Sequence, residues 1–388
     1  MAEITATRRS SDPRRSLRDV TDIVNSVPSP VPASGPGDHG PGAGAPGPGV
    51  PGDGAPAEET VAGAAALLSG ARDVTLLGHV RPDADALGSA LALGRVLARR
   101  GAVVRVSVGE PERMPETLAW LDAGDLFVPA SKLPEAESLL VALDSASERR
   151  LGPLACRVDD RRAEGGAVLV VDHHAGNTRF GTHHVVDETA EATALLVLRL
   201  IDAMGEPLDE HIATCLYAGL VTDTGGFRRA RPEIHAVAAR LLAAGADPEE
   251  VSRRIVDDHP FAWLPMLAAV LGEARLLPDA AGGLGVVHTA VPLAVAATVR
   301  AEEVEGVINV IRTTREADVA VVLKEASGGQ WSVSLRSQGG VDVSAAAREL
   351  GGGGHRRAAG CTVTGELTAA RERVLVAVAA AVLPTPRP

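Results

Sequence analysis

Short apolar runs that end on acids and histidines constrain this chain more than any other feature. VTLLGHV (74–80) leads into His79, Asp83 and Asp85; LLVALD closes on Asp144; AVLVVDHH closes on Asp172, His173 and His174. Runs this short and continuously apolar read as strands buried on both faces. AVVRVSVG and GTHHVV add two more. Helical patterns lie between them. AEETVAGAAALLSG stops at Gly70, DALGSALALGRVLARRG stops at Gly101, and further helices are expected at about 188–204, 208–222, 233–244 and 248–257. Strands alternating with helices specify an α/β fold with a doubly wound parallel sheet. Ligands of such sheets gather beyond the carboxyl ends of the strands. Three separate strands would therefore bring acids and imidazoles to one edge. Asp223, in GLVTDTGGF, would join them from the end of a helical run.

Each piece alone has a plain reading. Asp85 could cap a helix starting at Ala86, Asp144 could cap the next, and His173 and His174 could be surface imidazoles. Together they are harder to dismiss, because buried carboxylates repel one another and take up protons unless cations neutralise them. The donor set is rich in oxygen, holds one or two imidazoles and has no thiolate close by. That suits Mn(II), with Mg(II) or Fe(II) less favoured and Zn(II) open. So many carboxylates ask for two ions, and a pair about 3.5–4 Å apart can clamp an in-line displacement at phosphorus.

A second, smaller α/β unit is expected over 280–388. LGVVHTAV, ADVAVVLKEA and WSVSLRSQ read as strands, with Gly328–Gly329 turning the second into the third. DVSAAAREL and 367–383 read as helices, and 258–279 as a helical connector from a catalytic unit at 58–257. A cleft between two lobes is a favoured place for a ligand. Gly351 to Gly354, followed by His355 and Arg356, could offer successive N–H groups to an anion, whereas a plain helix stop needs one glycine. Arg336 ends an alternating strand. Residues 28–56 hold nine prolines and nine glycines, so 1–57 should be a mostly unstructured tail.

The formal net charge of −12 argues against binding long duplexes, and an aromatic content of 2% against a base-stacking platform. Lys132 and Lys324 are the only lysines, so arginine must do most cationic work. Cys156, Cys215 and Cys361 form no C-x-x-C pair, which speaks against a disulfide scaffold or thiolate zinc site. No apolar run approaches the roughly 20 residues of a membrane span, and no apolar stretch follows the arginines at 8, 9, 14 and 15. A cytoplasmic protein without membrane partners is expected. His183, His184, His211, His235, His259 and His288 lack acids at ligand spacing. Cys215 reads as core, and Asn177 is a weaker substrate candidate.

HVRPDAD, the LD at Asp144, VDHH and TDTGGF resemble the four motifs of the DHH phosphoesterase superfamily. RSQGGVDVSAAARELGGGGHRRAAG resembles the signature of the DHH-associated substrate domain. The likeness spans about residues 60–384 and is nearest to the bacterial nanoRNases (oligoribonucleases) and pAp phosphatases. It implies a first metal on His79, Asp83 and Asp144, and a second on Asp85, Asp144, His173 and Asp223, with Asp144 shared. It implies His174 facing the scissile phosphate and Asp172 orienting an imidazole. Arg336, Gly352, Gly353, Gly354 and His355 would hold the far end of the ligand. The implied enzyme uses two Mn(II) ions to hydrolyse short oligoribonucleotides, pAp, or linear or cyclic dinucleotides to nucleoside 5′-monophosphates, and a homodimer is compatible with it. A pyrophosphatase or polyphosphatase of the same superfamily is the rival enzyme, although its second domain carries a lysine-rich motif missing here. A nucleotide-sensing binding protein with an inactive site is the rival outside enzymes.

Overall fold

The computed structural model describes residues 58–383 except Gly328, so the expected tail at 1–57 lies outside the described residues. In the first lobe, β1 (Asp73–Gly78), β2 (Val103–Val108), β3 (Leu139–Leu143), β4 (Ala167–Asp172) and β5 (His183–Val186) form one parallel sheet in the order β2-β1-β3-β4-β5. Alternate residues of β1, β3 and β4 enter different cores. Val74, Leu76, Val141 and Leu169 pack under the helices Ala84–Arg99, Thr193–Ala203 and Glu210–Thr224. Leu77, Leu140, Ala142 and Val168 pack on the other face with Leu151, Leu154 and Val158. Burial on both faces is why these strands read as unbroken apolar runs. The chain leaves β2 on one side of β1 and re-enters at β3 on the other. That reversal is the topological switch point, where doubly wound sheets open a crevice at their carboxyl ends.

The second lobe is a mixed sheet of β6 (Arg275–Leu277), β7 (Val286–Val291), β8 (Val319–Ser327), β9 (Gln330–Ser337), β10 (Gly353–His355) and β11 (Ala358–Thr364), ordered β10-β11-β9-β8-β7-β6. Only β7 and β8 run parallel. Gly329, at φ 73°, sits in the turn between β8 and β9. Helices Val343–Glu349 and Leu367–Ala380 cover one face, while Trp263–Gly272 and Ala301–Ile311 cover the other. Two expectations need correction. The segment 258–279 is not helical throughout, since Arg275 to Leu277 form an edge strand. Nor is it merely a bridge: Met266 and Val270, one helical turn apart, are buried against Val287, Val307 and Ile311 in the second core. The helix expected through 257 ends as an α-helix at Ser252 and continues as a π turn over Arg253–Asp257.

Candidate metal centre and substrate cleft

The strand-end residues converge at the switch point. Asp144 is the pivot. Its N–H donates to Val171 O at 3.0 Å, carrying the pairing one residue past β3, and its φ of 55° then turns the side chain over the sheet edge. Aspartate tolerates this left-handed conformation better than most residues. Asp144 Oδ2 lies 3.4 Å from His79 Nε2, and Oδ1 lies 3.5 Å from His173 Nε2 and 3.0 Å from Thr193 Oγ1. Potential ligand atoms of His79, Asp83 and Asp144 lie within 4.8 Å of one another, as do those of Asp85, Asp144 and His173. The two groups share Asp144. Asp223, in the last turn of helix Glu210–Thr224, joins the second group with Oδ2 3.0 Å from His173 Nε2.

The capping roles differ from the plain reading. Asp83, not Asp85, caps helix Ala84–Arg99, accepting the N–H groups of Asp85 and Ala86 at 3.0 Å each. Asp85 is fully buried and accepts the N–H groups of Thr193 and Ala194 at 2.6 and 2.9 Å, capping a different helix. Gly219 makes room for it, because a Cβ there would lie 2.6 Å from Asp85 Oδ1.

The electrostatics are those of a cluster short of positive charge. Burial pushes Asp85 up, and the carboxylates of Asp144 and Asp223 push it further. Burial also pushes Asp223 up to about 6, against the pull of His173. Burial would raise Asp144 too, but the hydrogen bond from His79 and the imidazoles of His174 and His173 outweigh it and hold Asp144 well below the usual carboxylate range. Burial opposes protonation of His173, yet Asp223 and then Asp144 overcome it.

These residues suit divalent cations. His79 Nδ1 donates to Val80 O at 2.9 Å and His173 Nδ1 to Ala190 O at 3.1 Å. Each ring therefore turns its Nε2 into the cluster, the arrangement of a metal-ligating imidazole. His173 Nε2 is buried without a hydrogen-bond partner, although Asp223 Oδ2 stands 3.0 Å away.

His174 stands beside this centre. Its Nδ1 donates to Asp172 Oδ1 at 2.8 Å, while Asn177 Nδ2 donates to Asp172 Oδ2 at 2.6 Å and to Ser145 O at 3.0 Å. Asn177 therefore positions the acid that orients His174. From the second lobe, His355 stacks on His174 with ring centroids 4.4 Å apart. Burial, then His174 and His173, push His355 down to about 4, so it is neutral near pH 7.

The glycine run does not have the backbone expected of an anion nest. Gly351 (φ 78°) closes helix Val343–Glu349, and Gly352 N–H donates to Ala347 O at 2.7 Å in a helix-ending bond. Gly353 and Gly354 are strand β10. A Cβ at Gly352 would lie 2.1 Å from Gly360 O, and one at Gly354 2.6 Å from Ala358 O, so close packing on β11 demands both glycines. Within β10, Gly353 has open space at its Cβ position, and it lies on the same face of the strand as His355.

A basic group lies near the second acid group. Arg229 Nη2 donates to Asp223 O at 2.8 Å. Burial, then the Arg312 guanidinium and further down Arg229, push Arg336 below the usual arginine range. None of these three arginines has a carboxylate within ion-pair distance among the described residues. Sequence reasoning missed Arg229 and Arg312. The first follows the TDTGGF motif closely enough to have been noticed, whereas nothing local marks the second. His183 and His184 lie on β5, away from the acid groups, as expected.

Residues 73–220 match the DHH family, N-terminal domain, and residues 285–382 match the DHHA1 domain. Over 304 residues the chain is 38% identical to the bifunctional oligoribonuclease and PAP phosphatase NrnA of Thermus thermophilus, covering 77% of this chain and 87% of that one. The chain belongs to the DHH family. It is accordingly a nucleotide phosphoesterase and a metal-dependent hydrolase. Two solved structures share its fold. An exopolyphosphatase-related protein from Bacteroides fragilis has a TM-score of 0.74 at 24% identity, covering 83% of this chain and 96% of that one. RecJ from Thermus thermophilus in complex with Mn2+ has a TM-score of 0.50 at 20% identity, covering 87% of this chain and 57% of that one. No helix among the described residues is long and apolar enough to cross a membrane.

Proposed function

We propose that this DHH-family enzyme uses two Mn(II) ions to hydrolyse short oligoribonucleotides and 3′-phosphoadenosine 5′-phosphate to nucleoside 5′-monophosphates. The observation that carries the reading is the pair of ligand groups sharing Asp144, with His355 of the opposite lobe stacked over His174 beside them. His79, Asp83 and Asp144 would hold one ion, and Asp85, Asp144, His173 and Asp223 the other. Bound there, the ions supply Lewis-acid stabilisation of the phosphoryl group and a nucleophile available at neutral pH. The protein's own residues do the rest. His174, held by Asp172, presents Nε2 as a proton donor to the scissile phosphate or its leaving oxygen. His355 covers that imidazole and keeps bulk water from it. Arg336, with Arg229 and Arg312, binds the phosphate or ribose end away from the cut by charge-assisted hydrogen bonds. Gly353 leaves space for the ligand beside His355.

The fixed spacing between cutting centre and basic grip favours ligands of a few nucleotides. Manganese is the natural ion for this mix of oxygens and imidazoles, as in the RecJ complex. A cytoplasmic setting is part of the same reading, supported by three unpaired cysteines. Turnover of a dinucleotide, a ten-nucleotide RNA, pAp, a cyclic dinucleotide and pyrophosphate, compared side by side in Mn(II), tests the assignment. Preference for the dinucleotide and pAp is expected. Equal turnover of the longer RNA would remove the length selection, and dominance of pyrophosphate would replace the substrate class.

A further inference from the structure

The back of the second lobe holds a cavity that takes no part in this chemistry. It forms because β6 pairs only with Val286 to His288 of β7, leaving β7 without a neighbour on that side from Thr289 to Val291. The cavity measures about 310 Å³ and adjoins a second of about 480 Å³, and both are lined by His288 and Arg371. His288 is 5% exposed and borders the cavity, yet its ring has no hydrogen-bond partner among the described residues. Arg371 lies one helical turn after Leu367 on helix Leu367–Ala380 and has no ion-pair or hydrogen-bond partner among them either. That helix starts at the cavity wall, and no side chain caps its first turn. Its leading N–H groups therefore add unfilled donors and the positive end of the helix dipole. Ala269, Val270, Val295 and Leu323 supply an apolar wall.

We propose that this cavity binds a small monocarboxylate with a short apolar tail. The carboxylate would sit on the Arg371 guanidinium and the His288 ring, and the tail against Val270, Val295 and Leu323. A single negative charge matches a single free guanidinium, since the nearby Arg275 is engaged by Glu273 at 3.3 Å. Burial, followed by Arg371 and Arg275, holds His288 below its ordinary value, so it meets the anion as a neutral donor. A phosphate dianion would exceed the available positive charge beside Glu273 and leave the apolar wall unused. A nucleotide would find no aromatic surface here, in a volume at the lower end of ligand sites.

The test is calorimetric titration of the full Mn(II)-loaded chain with acetate, butanoate, hexanoate and decanoate, and with inorganic phosphate. Saturable binding is expected, tightening from acetate to butanoate or hexanoate and failing for decanoate. Arg371→Gln should weaken it at least tenfold and Val295→Trp, which fills the cavity, should abolish it, while dinucleotide hydrolysis by both variants stays unchanged. Asp144→Ala should bind the acids as the parent does, which separates this site from the metal centre. The proposal is overturned by absence of saturable binding to the parent chain, by equal affinity in Arg371→Gln, or by phosphate binding to Asp144→Ala as tightly as butanoate does.

Discussion

The two walls of the cleft are built on opposite electrostatic principles. The first-lobe edge crowds Asp83, Asp85, Asp144 and Asp223 around two imidazoles, with burial pushing Asp85 and Asp223 up. The second lobe contributes an imidazole, His355, which burial and the first-lobe histidines hold neutral, and a buried cation, Arg336, which stands with Arg312 and Arg229 and has no carboxylate at ion-pair distance among the described residues. One wall is short of cations and the other is short of an anion. The lesson is a division of labour: the strand ends of the first lobe carry the reaction, and the second lobe selects what is presented to them.

The strongest challenge to that division is Asp144→Ala. Losing the shared carboxylate should lower hydrolysis of every substrate by on the order of 10³-fold or more, comparable to removing a principal electrostatic stabiliser. Bound Mn(II) per chain, measured on the same sample, should fall with it. Normal metal content with intact turnover would show that the acid edge is not the reaction centre.

Arg336→Gln probes the other wall. It should raise KM for a dinucleotide by roughly 10 to 100-fold, the range for loss of a charge-assisted hydrogen bond, with kcat changed little. A minimal phosphodiester such as bis-p-nitrophenyl phosphate, which has no far phosphate or ribose to offer Arg336, should be hydrolysed at the parental rate. An equal loss on both substrates would make Arg336 part of the reaction itself and end the division.

Asn177→Ala lies on the first wall but one contact removed. It takes away the hydrogen bond that fixes Asp172 behind His174, and roughly tenfold lower kcat is expected for loss of such an orienting partner. The pH–rate profile should shift as His174 loses its fixed carboxylate. A kcat drop with no change in that profile would indicate general loosening instead.

Legibility in the sequence followed the same line between the walls. The acid edge was readable because β1, β3 and β4 are buried on both faces, which turns each strand into an unbroken apolar run with its functional residue at the end. The second wall depends on neighbours distant in sequence. Gly352 and Gly354 are demanded by β11 pressing against them, which no local spacing can reveal. Arg312 and Arg336 come together only through the fold. The swap of capping roles between Asp83 and Asp85 had the same origin, since the helix that Asp85 caps begins at Thr193.

The smallest expected effect is also the most direct measure of how the walls differ: the pH dependence of stability with and without metal. In cation-free protein, Asp85 and Asp223 have folded values above their unfolded ones. Their contribution is fully present below the unfolded carboxylate range and is lost as pH rises, for Asp223 through about 6. In chelator-treated protein the stability contributed by these two acids should therefore fall between pH 5 and 7. Mn(II) should reverse the trend, because cations bind the ionised carboxylates and must displace protons below about 6. The gain in Tm from Mn(II) should thus grow with pH across this window. His355, pushed down to about 4, stays neutral in the folded chain but takes up a proton on unfolding below the ordinary imidazole range, so it adds stability as pH rises; that contribution is present with and without Mn(II) and cancels in the gain, which therefore belongs to the first wall. Thermal unfolding at matched ionic strength, with chelator and with Mn(II), reads the difference. A gain independent of pH would mean that the acids are already ionised and balanced without cations, and the contrast between the two walls would fall.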